Sequence, residues 1–272
     1  MGKEGASAAP TPNQRFDLFI GIDYSGARTA SAPLKELQVY GARAGWTPEK
    51  WTRPQVAATR RTGNWSRVEV ARLLLERAQA GERFIAGIDH CFSMPWAYFE
   101  RYGLGSWPAF LDDFVTHWPT HEHDASVDGL RAAGLRSGTA KELRLAETWT
   151  SSAKSVFQFD MQGSVAKSSH AGIPWLKWLR DQAGDRLHVW PFDGWDPAPG
   201  KSVIAEMYPS MLKRRYPAAE GMSADQHDAF SIASWLADMA GRGALVDYLR
   251  MPPLTGTEQR VAACEGWVLG VR

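Results

Sequence analysis

The chain has little cysteine, no long apolar run and almost no net charge, and each shortage excludes a class of protein. Two cysteines, Cys91 and Cys264, cannot build a disulfide scaffold and are typical of a reducing compartment. No apolar run approaches the ~20 residues that a membrane-spanning helix needs. A formal net charge of +1 provides no global basic field for nucleic acid. The sequence therefore predicts a cytoplasmic protein without a membrane partner, in which any nucleic-acid site is local.

Local positive charge occurs in two stretches, although solvated helix faces would account for either one alone. These stretches are Arg131, Arg136, Lys141 and Arg144, and then Lys213, Arg214 and Arg215. Residues 1–15 are small, polar and interrupted by proline, and they lack the apolar core of a signal peptide, so we expect a flexible leader.

The remainder, residues 16–272, is predicted to form one α/β domain with an irregular insertion at about 96–170. Apolar runs predict strands at 16–23, 37–40, 84–89, 187–190 and 202–206, with a strand-like tail at 266–271. Helices are expected at 66–80, 173–181 and 224–240. Strand, helix and strand alternate around the first acids, which favours parallel neighbours in a sheet flanked by helices.

Three of the apolar strands end in an acid, namely Asp23, Asp89 and Glu206. Two of these strands share the ending Gly-Ile-Asp. Ligands bind at the carboxyl ends of strands in open α/β sheets, and carboxylates gathered there repel one another unless a cation lies among them. Because hard oxygen ligands suit Mg²⁺ or Mn²⁺, the three acids predict a site for one of these metals.

The late helix offers a further acid. Its capping box runs from Ser223 to Gln226, so Asp225 in the first turn is explained by the positive end of the helix. Asp228 instead continues the apolar stripe of Ile232, and an inward acid is costly unless it is paired or bound to metal. Asp228 is therefore the stronger candidate ligand, with Asp225 as a helper on the same face.

These motifs resemble a known family. The runs Gly21-Ile-Asp-Tyr-Ser-Gly-Ala27, Ile88-Asp89, Glu206-Met-Tyr-Pro209, Asp225-Gln-His-Asp228 and Glu265-Gly-Trp267 look like the domain-of-unknown-function family numbered 429. Its members are described as predicted ribonuclease-H-like nucleases. The resemblance implies a ribonuclease-H-like fold, with Asp23 on the first strand, Asp89 on the fourth and Asp228 on the last helix.

The resemblance also implies a reaction, hydrolysis of nucleic-acid phosphodiester bonds, for which we expect a carboxylate site that holds two metals. Asp23 would bridge metals roughly 4 Å apart, with Asp89, Glu206 and Asp228 completing the coordination. Ribonuclease H takes one acid from its first helix, where this chain has Glu69, so either Glu69 or Glu206 completes the site, and Glu206 is preferred. Ser25 is expected to contact the scissile phosphate, as are Lys167 and Ser168, which resemble a Gly-Lys/Thr-Ser run of the family.

Other signals are weaker. His117, His121 and His123 suggest zinc, but an exposed polar loop is the better interpretation. A phosphotransferase of the actin, sugar-kinase and Hsp70 superfamily would also begin with Gly-Ile-Asp, yet no second glycine-rich phosphate motif is present. The remaining alternative is a binding module that keeps the fold without catalysis. We expect such a module to gain no thermal stability from metal.

Overall fold

A computed structural model describes residues 15–53, 63–134, 136–150, 153–161 and 163–272. The expected leader, apart from Arg15, lies outside these residues. The described residues form a six-stranded mixed sheet flanked by helices, which confirms the α/β class. Its strands are β1 (Leu18–Asp23), β2 (Gln38–Arg43), β3 (Glu49–Lys50), β4 (Phe84–Asp89), β5 (Leu187–Trp190) and β6 (Ser202–Glu206).

The strands lie in the order β3-β2-β1-β4-β6-β5. β2 pairs antiparallel with both β1 and β3, whereas β1, β4, β6 and β5 run parallel to one another. The carboxyl ends of these four parallel strands therefore meet at one edge of the sheet, as the alternation of strands and helices predicted.

Nine α-helices surround the sheet in the described part of the chain. They are α1 (Arg67–Gln79), α2 (Trp96–Tyr102), α3 (Trp107–His117), α4 (Val127–Ala132), α5 (Leu145–Thr148), α6 (Ala166–Ala183), α7 (Ala224–Gly241), α8 (Leu245–Tyr248) and α9 (Gly256–Glu265). No helix among the described residues is both long enough and apolar enough to span a membrane.

Alternate residues of β1 face two different cores. Ile20 and Ile22 pack in one core with residues of α1 and α6, while Phe19 packs in the other with residues of α7. This alternation follows from the two-residue period of a strand. Because both faces are covered, the strand reads as an almost continuous apolar run.

Three expectations about the elements were wrong. α6 begins at Ala166 rather than at Ile173. The prediction missed its first turns because they bury small and polar residues, including Ser169 and His170, which give no apolar stripe. The tail at 266–271 is no strand: it forms a single bridge between Val268 and Glu206. α7 is not the last helix, since α8 and α9 follow it.

The glycine of each Gly-Ile-Asp strand lets α7 lie close against the sheet. A Cβ at Gly21 would stand 2.0 Å from the carbonyl oxygen of Ala229, and one at Gly87 would stand 2.5 Å from the side chain of Ile232. Both contacts are too short for real atoms. The two glycines thus set how closely α7 approaches the ends of β1 and β4.

We expect Gly21→Ala to lower the free energy of unfolding by about 1–3 kcal/mol, the range for overpacked cores. The obstacle is the backbone of α7, which cannot rotate away. Urea unfolding would measure the loss. Gly105→Ala is the matched control, because a Cβ there meets open space. Equal stability of the two variants would contradict the close approach.

Candidate metal centre

Three carboxylates converge where β1 and β4 end. Asp23 and Asp89 are direct partners in the parallel register, and Asp228 lies in the second turn of α7. One carboxylate oxygen from each of the three lies within 4.8 Å of the others. Among the described residues, no other His, Cys, Asp and Glu side chains form a group with this geometry. The arrangement can hold a divalent cation that prefers oxygen ligands.

The free acids are electrostatically strained. Burial, followed by repulsion from Asp89 and Asp225, raises the pKa of Asp23 to about 9. Burial and then the charge of Glu206 raise the pKa of Asp89 to about 7. The pKa of Asp225 is also raised, first by burial and then by Glu36. A bound cation would relieve this repulsion, so the pKa values agree with the geometry of a metal site.

Glu206 does not join the three aspartates. It is fully buried, and its carboxylate accepts hydrogen bonds from the Arg144 guanidinium and from the Phe92 backbone N–H. The expectation that Glu206 ligates metal is therefore not met, because a buried arginine already neutralises it. The alternative, Glu69, does not join the aspartates either. It completes the capping box of α1 and pairs with Arg53 at 2.5 Å.

An open cleft of about 520 Å³ lies over the acids. Three predicted phosphate contacts line it, namely Ser25, Lys167 and Ser168, together with the fourth predicted acid, Asp225. Asp225 lies beside the three-carboxylate group without belonging to it. The structure thus brings every predicted site residue except Glu206 to one cleft.

The wall of the cleft that carries Ser25 is held rigidly. The Arg67 side chain donates hydrogen bonds to the backbone carbonyls of Ser25, Ala27 and Arg28 at 2.7–3.1 Å. A Cβ at Gly26 would stand 2.0 Å from the carbonyl oxygen of Lys167, so this loop lies directly on the first turn of α6. The N-terminus of α6, with its partial positive charge, therefore borders the cleft beside Ser25.

Lys213 is the main site residue that sequence reasoning missed. It was noted only as part of a basic stretch, yet its ammonium forms an ion pair with Asp228. Tyr208, Glu36 and Lys154 also line the cleft. A signal was available for both residues, because Tyr208 belongs to the Glu206-Met-Tyr-Pro209 motif at the end of β6 and Lys213 follows that motif closely.

The first basic stretch is largely neutralised by acids of the chain itself. Arg131 pairs with Asp160, Arg136 pairs with Asp113, and Arg144 is buried against Glu206. The histidines do not form a metal-binding group within the described residues either. Positive charge near the acids comes instead from the lysines of the cleft.

The chain matches no protein-family model, no curated protein and no solved structure. The chemistry of the site itself therefore carries the functional interpretation.

Proposed function

We propose that the protein is a metal-dependent nuclease that hydrolyses phosphodiester bonds of nucleic acid with Mg²⁺ or Mn²⁺ held by Asp23, Asp89 and Asp228. The convergence of these three carboxylates within 4.8 Å carries the proposal. Hard oxygen donors at this spacing fit both metals. A cleft that combines the acids with lysine and serine side chains suits an anionic substrate.

The proposal includes a ribonuclease-H-like fold. Three antiparallel strands followed by parallel ones support it, as do the positions of Asp23 on the first strand and Asp89 on the fourth. Asp228 comes from a long helix packed across β1, β2 and β4. The resemblance to the family numbered 429 implied these strands for Asp23 and Asp89 and a helix for Asp228, although α7 is followed by α8 and α9.

Each part of the cleft has a role in the proposed reaction. When bound, the metal activates water and neutralises charge on the phosphate. Asp23, Asp89 and Asp228 bind and orient it through carboxylate oxygens. Ser25, Lys167 and Ser168 hold the scissile phosphate against the acids, with the N-terminus of α6 adding favourable potential. Glu206 has no place in this set, because its charge is paired with Arg144.

A panel of labelled substrates tests the proposal. It contains single strands, duplexes, RNA–DNA hybrids and four-way junctions, each incubated with Mn²⁺, with Mg²⁺ or with EDTA. We expect metal-dependent cleavage of at least one substrate and a higher melting temperature in Mn²⁺. An absence of cleavage together with an unchanged melting temperature would favour a binding module. Stabilisation by nucleotide alone would favour a phosphotransferase.

Metal affinity should depend on pH. Ligation requires ionised carboxylates, and the free site holds protons because the pKa of Asp89 is about 7 and that of Asp23 about 9. We therefore expect Mn²⁺ to bind more tightly at pH 8 than at pH 6, with release of protons on binding. Calorimetry in two buffers of different ionisation enthalpy measures both effects. Affinity independent of pH, with no proton released, would contradict protonated free acids.

A further inference from the structure

Lys213 places an ammonium group directly on the candidate metal centre. Its Nζ pairs with Oδ1 of Asp228, whose side chain is 17% exposed. Oδ1 of Asp228 is buried and has no other hydrogen-bond partner among the described residues, so the Lys213 ammonium is the cation that balances its charge. A divalent cation bound at the same oxygen would take over that role.

The charge of Lys213 acts on the whole cluster. It lowers the pKa of Asp23, of Asp89 and of Asp225, opposing the effect of burial on each carboxyl. Because it also forms the ion pair with Asp228, this one ammonium interacts electrostatically with four acidic side chains. Lys167, which also lines this cleft, pairs with Asp128 outside the cluster.

We propose that Lys213 is a resident counter-ion that the divalent metal must displace, so that it sets the metal affinity and then turns to the substrate phosphate. This inference rests on the proposed metal-dependent function. The ammonium and the metal compete for the same oxygen of Asp228, and their like charges repel at short range. A lysine suits the task, because its compact charge sits on a flexible four-carbon stem.

Displacement has a consequence for substrate binding. A lysine expelled from the acids by metal remains tethered at the cleft, where a phosphodiester can pair with it. A phosphate that holds Lys213 away from Asp228 in turn favours metal. Because coupling between two ligands is reciprocal, we expect metal and phosphodiester to bind cooperatively.

Calorimetric titration with Mn²⁺ tests the inference on the full chain, comparing wild type with Lys213→Met and Lys213→Arg. We expect Lys213→Met to bind Mn²⁺ at least tenfold more tightly and Lys213→Arg to bind close to wild type. Lys167→Met is the matched control, because it removes a charge from the same cleft but not from the acids, and its affinity should change less than threefold. Circular dichroism would verify the fold of each variant.

The outcomes separate this inference from the proposed function. Wild type and Lys213→Met binding Mn²⁺ equally well would overturn the counter-ion role and leave the metal site standing. Failure of both to bind Mn²⁺ would overturn the site and the inference together. Titration with a phosphorothioate-linked thymidine dinucleotide present tests the coupling: Mn²⁺ affinity should rise in wild type and not in Lys213→Met. Equal affinity of wild type with and without the dinucleotide would overturn the coupling.

Discussion

Asp23→Asn is expected to reduce metal-dependent cleavage by about three orders of magnitude or more, the scale typical of losing a group central to a reaction. Asp23 lies at the end of β1, opposite Asp89 in the register and within reach of Asp228. The asparagine amide keeps the shape of the carboxyl but removes the negative charge that a divalent cation requires. Initial rates on the best substrate of the panel would measure the loss.

Asp225→Asn is the matched control for this prediction. Asp225 lines the same cleft and acts on Asp23 through its charge, but it lies outside the three-carboxylate group. Its replacement should therefore lower the cleavage rate roughly tenfold or less, as expected for a group that tunes the site without binding metal. Equal losses in the two variants would place Asp225 among the ligands. Full activity of Asp23→Asn would refute the proposed site.

Asp23→Asn should also change how the stability of the fold depends on pH. The carboxyl of Asp23 has an ordinary pKa near 3.8 when exposed and about 9 in the fold. Between these values the folded state holds a proton that the unfolded state has released, so stability falls as pH rises. Without metal, the melting temperature of wild type should therefore fall more steeply from pH 5 to pH 8 than that of Asp23→Asn. Parallel profiles would contradict the raised pKa.

The aspartates of β1 and β4 could be predicted from the sequence because local pattern determines their place. An apolar run that ends in Gly-Ile-Asp reads as a buried strand, and parallel strands align their carboxyl ends. Asp228 could be predicted for a similar reason. The capping box fixes where α7 begins, and helical spacing then fixes which face of α7 points inward. All three inferences depend on residues that are close together in the chain.

Glu206 was misassigned because the residue that decides its role is distant. Its strand also ends in an acid, but the partner Arg144 lies 62 residues earlier, in a segment without readable periodicity. Nothing near Glu206 in the sequence signals a buried arginine. The ion pair between Lys213 and Asp228 depends likewise on tertiary placement, which composition and spacing do not encode.

Arg144→Met is expected to lower the free energy of unfolding by about 3–5 kcal/mol, the cost of removing one partner from a buried ion pair. The guanidinium is fully buried and donates to Glu147 at 3.0 Å and to Tyr208 at 2.9 Å, besides its pairing with Glu206. It also reaches the backbone carbonyl of Glu265 at 3.2 Å. Methionine fills comparable space but leaves these acceptors without donors. Urea unfolding would measure the change.

Arg83→Met provides the comparison. Arg83 makes a bidentate pair with Asp17 at 2.6 and 2.9 Å, but both side chains are more than 40% exposed. An exposed pair of this kind contributes about 1 kcal/mol or less. If Arg144→Met lowered the free energy of unfolding no more than Arg83→Met, the buried network would be shown to tolerate an unpaired carboxylate.

The double variant Arg144→Met with Glu206→Gln identifies the cause of the loss. If the uncompensated charge of Glu206 dominates, a neutral amide at that position should recover part of the stability, because an unpaired buried charge costs more than an unpaired buried dipole. Recovery of stability in the double variant would trace the loss to the Glu206 carboxylate. No recovery would assign the role of Arg144 to its bonds with Glu147, Tyr208 and the backbone.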